Sequence, residues 1–283
     1  MTTPAIPGDI AAQLIALALA GRAPEQLLQP LLYLGWETDT AAAAVEALIR
    51  DYLAEHARAH DLPPPVAVPA PLEANGAACI ALPDRQVQVL ASLLLPRVVV
   101  FGGLLSDAEC QELIEQARPR LRRSRTLNLQ TGIDEAHVAR TSEGTMFARG
   151  ESALCRRIED RIAALLDWPL DHGEGLQVLR YGPGAEYRPH YDYFDPSQPG
   201  TAGTLVRGGQ RVATVVIYLN TPARGGATVF PDAGFEAGAV RGNAVFFSYD
   251  RPHPMTRTLH AGAPVLEGEK WIATKWLRER RHD

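Results

Sequence analysis

The sequence predicts a mainly β body with flanking helices, preceded by a small all-α domain. Three observations predict it. Leucines recur at helical spacing through residues 1–61, five prolines crowd the ten residues Leu62–Pro71, and short apolar runs punctuated by Gly, Pro and Asn recur from Leu176 onward. A segment so rich in proline builds neither a helix nor a central strand, so it reads as an extended linker. The expected organisation is a helical domain over 1–61, a Pro-rich linker over 62–75 and a β domain over 76–283.

In the N-terminal part, Asp9 is placed to cap a helix through Ala20, with Gly21 ending it. Pro24 sits where a first-turn proline is tolerated and opens a second helix to about Leu34. Thr38 or Thr40 caps a third, Ala-rich helix to about His60. Leu14, Leu17, Leu27, Leu28, Leu31, Leu32, Val45, Leu48, Ile49 and Leu53 would form one shared core. The Leu34-Gly35-Trp36 turn resembles that of ubiquitin-associated-type three-helix modules; the plainer expectation is a packing or dimerisation appendage.

Past the linker the period changes. Val98–Phe101 reads as a strand, Ser106-Asp-Ala-Glu109 as a capping box opening a helix to about Ala117, and Glu151–Leu166 as a second amphipathic helix. Strands follow at Leu176–Tyr181, Glu186–Asp192, Val212–Asn220, Thr228–Phe230, Gly238–Val240, Asn243–Ser248, Thr256–His260 and Lys270–Leu277. Short strands at this spacing suggest a sandwich, barrel or jelly roll.

Composition narrows the function. A net charge of −5 gives no global drive toward nucleic acid or an anionic membrane. Residues 1–75 carry nine acids against three bases, a net of −6, so the remainder is close to neutral. The longest early apolar stretch, Ile10–Ala20, is too short to span a bilayer and has no Lys or Arg before it; a cytoplasmic protein is expected. Cys79, Cys110 and Cys155 lie far apart, which argues against a disulfide framework or a thiolate zinc site and leaves them as packing residues. Five arginines within 118–125 read as a solvated helix end; an acidic substrate, the acidic N-terminal domain or nucleic acid are the alternatives.

The sharpest chemical feature is Tyr187-Arg-Pro-His190-Tyr-Asp192. In a strand, His190 and Asp192 leave the same face, one imidazole beside one carboxylate. His260, in another predicted strand, supplies a second imidazole. Two histidines and one carboxylate leave coordination positions open, which suits non-haem Fe(II); the same ligands also bind zinc. His253 is the rival second histidine, but it sits in a proline-flanked turn, Arg251-Pro-His-Pro254. His56, His60, His137, His172 and His282 are left without a role. By parity Lys270, Ile272, Thr274 and Trp276 share one face, and Trp271, Ala273, Lys275 and Leu277 the other. A lysine aimed into the body is costly unless it meets an anion. A dicarboxylate such as 2-oxoglutarate, chelating iron through its keto-acid end, would give its far carboxylate to Lys270.

With these residues the chain resembles the iron(II)- and 2-oxoglutarate-dependent dioxygenases, and more narrowly the prolyl 4-hydroxylase branch. The resemblance runs in order through Arg140-Thr-Ser142, Leu179-Arg-Tyr181-Gly-Pro-Gly, Gln210–Leu219, Gly225-Gly-Ala-Thr228-Val-Phe-Pro231, Gly242–Phe247, Leu259-His-Ala-Gly262 and Lys270–Trp276, and covers roughly residues 96–279. It implies a double-stranded β-helix, or jelly roll. It implies iron ligation by His190, Asp192 and His260, and 2-oxoglutarate binding by Lys270 with Tyr181 and Thr228 as hydrogen-bond donors and Trp276 packing nearby. Tyr187 and Arg211 would line the substrate pocket, beneath a mobile flap over Phe194–Gly209. It further implies O₂ as co-substrate, ascorbate as a candidate reductant, and hydroxylation of a prolyl residue in a protein or peptide with release of succinate and CO₂. The alternatives are the same chemistry on a free amino acid or other small molecule, and a non-catalytic jelly-roll binding or scaffold protein.

Overall fold

The computed structural model describes residues 6–20, 22–71, 78–124, 126–127, 134–135 and 141–282. Gly21, Arg125, His137 and Arg140, named above, lie outside the described residues. The chain divides into two compact units, Met1–Pro64 and Pro65–Asp283.

The first unit holds three helices: α1 (Gly8–Leu19), α2 (Pro24–Tyr33) and α3 (Thr38–Ala59). Leu14, Leu31, Ala41, Ala44 and Val45 are buried at its centre, with Leu27, Leu28, Leu32, Leu48 and Ile49 packed around them. Leu53, expected in that core, is 47% exposed, and Leu17 falls outside the cluster. The caps also differ from expectation. Asp9 lies inside the first turn of α1, where its charge complements the helix dipole, and Pro7 is the N-cap. Glu37, not a threonine, precedes α3.

In the second unit the residues after the prolines are tied down: Val66 N–H donates to the Asp250 carbonyl (2.7 Å), and Pro69 and Pro71 are buried. A nine-stranded antiparallel sheet runs in the order Cys79–Ala81, Gln86–Leu93, Arg97–Gly102, Ala244–Ser248, Arg211–Tyr218, Lys270–Arg278, Gly173–Tyr181, Glu143–Phe147, Arg122–Arg123. A four-stranded sheet, Phe235–Ala237, Thr228–Phe230, His260–Gly262, Tyr187–His190, packs on it through Val98, Val100, Leu179, Tyr218, Phe230, Phe247 and Ile272. This is the double-stranded β-helix.

Strict alternation sorts the central strands into two faces. Ala213, Val215 and Ile217, like Trp271, Ala273 and Leu277, turn away from the small sheet and pack under two helices, α4 (Asp107–Ala117) and α5 (Ala153–Leu166). Ser106 and Glu109 make the capping box of α4: Glu109 N–H donates to Ser106 Oγ (3.2 Å), and Ser106 N–H to Glu109 Oε2 (2.9 Å). α5 is N-capped by Ser152, whose Oγ accepts from Cys155 N–H (3.1 Å).

Several predicted strand bounds shift for local reasons. Gly234, at φ 58°, closes a turn immediately after Phe230, so the hairpin returns through Phe235–Ala237 and Gly238–Val240 is not a strand. Pro254–Thr256 forms a 3-10 turn, capped by the His253 side chain, so the last small-sheet strand starts at His260 instead of ending there. Phe194–Gly209 is not a plain loop: it carries a 3-10 turn, Pro199–Thr201, and a short helix α6 (Ala202–Val206). The arginine run is partly engaged. Arg120 pairs with Glu151 (2.5 Å) and lies over Phe147, and Arg118 lies over Trp271. Cys110 and Cys155 are buried packing residues, whereas Cys79 is exposed. Among the described residues no helix is long and apolar enough to cross a membrane.

Candidate metal and co-substrate site

The strands Tyr187–His190 and His260–Gly262 are neighbours in the small sheet, with His190 and His260 in register. Register places both imidazoles on one face, their centroids 4.2 Å apart. The strand ends at His190, so Asp192 is delivered by the following bend and not by strand parity as predicted. Its carboxylate nonetheless reaches both rings: Oδ1 is 3.5 Å from His190 Nε2 and Oδ2 is 3.6 Å from His260 Nε2. His190, Asp192 and His260 offer three ligand atoms within 4.8 Å of one another, the only such group among the described residues.

The hydrogen bonds fix which nitrogens face inward. His190 Nδ1 lies 2.9 Å from the Arg188 carbonyl, and His260 Nδ1 lies 3.0 Å from the Thr258 carbonyl. A carbonyl only accepts, so each Nδ1 carries a hydrogen and directs its Nε2 toward Asp192. Burial and the neighbouring His190 push His260 down to about 4. Burial would raise Asp192, but the two imidazoles and Arg211 outweigh it and hold the carboxyl below the usual range. Two imidazoles directing Nε2 at one carboxylate are the donor types that a divalent cation takes, and they fit Fe(II).

Lys270 shares the cleft with the three candidate ligands, along with Tyr181, Tyr187, Thr228, Thr274 and Trp276. Parity therefore placed the Lys270–Trp276 face correctly. Lys270 is 3% exposed and makes no hydrogen bond or ion pair among the described residues; its Nζ lies over the rings of Tyr181 (5.5 Å) and Tyr218 (5.7 Å). Burial pushes its ammonium down to about 8. Gly226, at φ 75°, makes room for the lysine stem: a Cβ there would sit 3.1 Å from Lys270 Cδ. Trp276 has a buried Nε1–H without an acceptor among the described residues. An uncompensated buried cation beside a metal-type donor set fits a dianionic chelator with oxygens at both ends.

Of the two expected substrate residues, Tyr187 lines the cleft and stacks on His190 at 3.6 Å between centroids. Arg211 does not line it. Its guanidinium is clasped by Glu174 (Nε–Oε1 2.7 Å, Nη2–Oε2 2.9 Å), lies over Trp276 (3.9 Å), and donates to the Asp192 carbonyl (3.5 Å). The Phe194–Gly209 segment is anchored at both ends. Gln210 bonds both backbone groups of Phe194, and Arg278 Nη2 donates to the carbonyls of Thr204, Arg207 and Gly209.

Sequence reasoning passed over Glu174, Thr214, Tyr218 and Tyr249. Thr214 Oγ1 lies 2.7 Å from Asp192 Oδ2 and 3.0 Å from the Tyr249 hydroxyl, and Tyr218 Oη lies 2.7 Å from Thr228 Oγ1. One signal was available: Thr214, Val216 and Tyr218 share the parity that faces the small sheet, and two of the three are polar.

Residues 176–278 match the 2OG-Fe(II) oxygenase superfamily. Over 207 residues the chain is 38% identical to prolyl 4-hydroxylase 2 of Arabidopsis thaliana, spanning 64% of this chain and 67% of that protein. Over 216 residues it is 39% identical to probable prolyl 4-hydroxylase 10 of the same plant, spanning 69% and 72%. Among solved structures, a viral collagen prolyl hydroxylase from Paramecium bursaria Chlorella virus-1, in complex with 2OG, is 32% identical, covers 64% of this chain and 95% of its own, and has a TM-score of 0.49.

Proposed function

The chain belongs to the 2OG-Fe(II) oxygenase superfamily, in its prolyl 4-hydroxylase branch, and on that premise we propose that it hydroxylates a prolyl residue of a protein or peptide. The balance is R–H + 2-oxoglutarate + O₂ → R–OH + succinate + CO₂. The observation that carries the reading is the convergence of His190, Asp192 and His260 in the cleft that also holds the buried Lys270.

Bound iron supplies the O₂-dependent oxidation that couples loss of CO₂ from the keto acid to insertion of one oxygen into a C–H bond. The chain's own residues do the rest. His190 and His260 offer Nε2 because their Nδ1–H groups are held by backbone carbonyls. Asp192 adds the single negative charge. Lys270 meets the distal carboxylate of 2-oxoglutarate, with Tyr181 and Thr228 as hydroxyl partners and Trp276 as the neighbouring wall. The apolar lining from Leu179, Val216 and Ile272 excludes water from the reacting atoms. Tyr187 contacts the substrate. Arg211 contributes by holding the Asp192 backbone, since Glu174 already occupies its guanidinium.

We assign residues 1–61 to an accessory helical domain joined through 62–75 to the oxygenase domain. Three unpaired cysteines support a cytoplasmic setting.

The test is incubation with Fe(II), 2-oxoglutarate, O₂ and a set of synthetic proline-containing peptides. Succinate formation matched by a peptide product carrying one added oxygen on proline supports the reading. Oxygen found on another residue, or turnover stimulated only by free amino acids, overturns the prolyl assignment.

A further inference from the structure

The Arg211–Tyr218 strand is an apolar, β-branched run, Val212, Val215, Val216 and Ile217, with the Thr214 hydroxyl set into its middle and Tyr218 at its end. Thr214 is wholly buried, and a valine would fill the same shape. A buried hydroxyl in such a place needs a partner to offset its desolvation. Thr214 has two: Asp192 Oδ2 at 2.7 Å and the Tyr249 hydroxyl at 3.0 Å.

The direction of both bonds follows from counting hydrogens. The Asp192 carboxylate only accepts, so the one hydrogen of Thr214 is directed to Oδ2. The Tyr249 hydroxyl must then donate to Thr214 Oγ1. The result is a one-way chain, Tyr249 O–H to Thr214 O–H to carboxylate, in which each bond polarises the next. Its outer end is rigid: Tyr249 is 2% exposed, its ring packs on Phe247 and Tyr193, and its N–H donates to the Val212 carbonyl (2.9 Å).

We propose that Thr214 and Tyr249 are positioning residues that fix the rotation of the Asp192 carboxylate and commit its Oδ2, so that Asp192 ligates the metal through one oxygen. The inference rests on Asp192 being a metal ligand. The bend that delivers Asp192 begins after its strand has ended, so no ladder orients this side chain. Each histidine is held by a carbonyl through Nδ1; the Thr214–Tyr249 chain is the corresponding hold on the carboxylate. Single-oxygen ligation keeps the remaining positions of the metal available for the keto acid and O₂. If Asp192 were free to rotate, its second oxygen would compete for one of them.

The experiment titrates the metal-free, full-length protein with Co(II), followed by calorimetry and by the visible spectrum of the bound ion. Thr214→Val is expected to weaken Co(II) binding about ten- to a hundredfold and to change the spectrum. Thr214→Ser should restore both, and Tyr249→Phe should weaken binding several-fold with a smaller spectral change. A purely structural role would lower thermal stability yet leave the Co(II) spectrum of the folded fraction unchanged, and that result overturns the proposal. So does folded Thr214→Val or Tyr249→Phe protein with wild-type affinity and spectrum. If Thr214→Val does not fold, Tyr249→Phe, which keeps the packed ring, decides. Wild-type protein that fails to bind Co(II) would instead overturn the site on which the inference rests.

Discussion

Lys270 and Tyr181 are register partners across two central antiparallel strands, and the lysine ammonium lies 5.5 Å from the centre of the tyrosine ring. The ring face offers the cation some compensation, but no carboxylate reaches it among the described residues. Burial therefore lowers the ammonium from an ordinary value of 10.5 to about 8. Between those values the unfolded chain binds a proton that the folded apo protein does not. The ligand-free fold is thus stabilised as pH rises from about 8 to about 10.5, by at most roughly 3 kcal/mol. Lys270→Met removes this linkage. Below pH 8 the variant should be the more stable apo protein, and the gap should narrow toward pH 10. Denaturant midpoints of both proteins at pH 7.5 and pH 10 read this directly; a gap independent of pH would contradict the burial of an uncompensated ammonium.

The same lysine predicts a split between co-substrate and metal. Lys270→Ala should weaken 2-oxoglutarate binding by several-fold to about a hundredfold, the loss of a charge-assisted contact of about 1–3 kcal/mol. Co(II) affinity should remain at the wild-type level, because the three ligand atoms are untouched. In the wild type, 2-oxoglutarate affinity should fall as pH climbs past about 8, where the free protein loses the lysine proton. Calorimetric titration with each ligand tests both statements. Parallel losses of both affinities in the variant would point to a damaged fold.

His190→Ala and Asp192→Ala should each abolish Co(II) binding and 2-oxoglutarate turnover while leaving the far-UV spectrum intact. His190 closes a strand whose pairing is made by the backbone and Asp192 lies in the bend beyond it, so the sheet does not depend on either side chain. Undiminished metal binding in either folded variant would remove that residue from the donor set.

How much of this was legible beforehand differs by residue. Lys270 and Trp276 were placed by parity, because the Lys270–Arg278 strand is central, long and unbroken through that stretch. His260 was found although its predicted strand was offset, since the register with His190 needs only the residue itself in the ladder. Asp192 was read onto the correct face for a reason that does not hold, its strand having stopped two residues earlier. Thr214 was hidden because a threonine in a β-branched run satisfies strand propensity without any further role. Arg211 was assigned to the substrate pocket by resemblance alone, and its pairing with Glu174, 37 residues away on the next strand but one, was not visible. Long-range pairing of charges leaves no periodic trace in a single sequence.

Glu174 supplies the last prediction. Its buried carboxylate accepts from Arg211 Nε and Nη2, and from Arg278 Nη1 at 2.9 Å. Arg278 in turn holds the carbonyls of the segment that follows Phe194, so one carboxylate joins the backbone of Asp192 to that segment. Burial would raise Glu174, but the two guanidinium groups override it and hold the carboxyl at about 2, against an ordinary 4.5. The stabilisation is present above pH 4.5 and is lost as pH falls toward 2. Glu174→Gln leaves two buried cations facing a neutral amide, at a cost of about 3–5 kcal/mol near pH 7. The variant should therefore unfold at lower urea concentration at pH 7, and its deficit relative to the wild type should shrink between pH 4.5 and pH 2. Equal midpoints at pH 7 would mean that the desolvation of three charges cancels their attraction, and that the network serves orientation without adding stability.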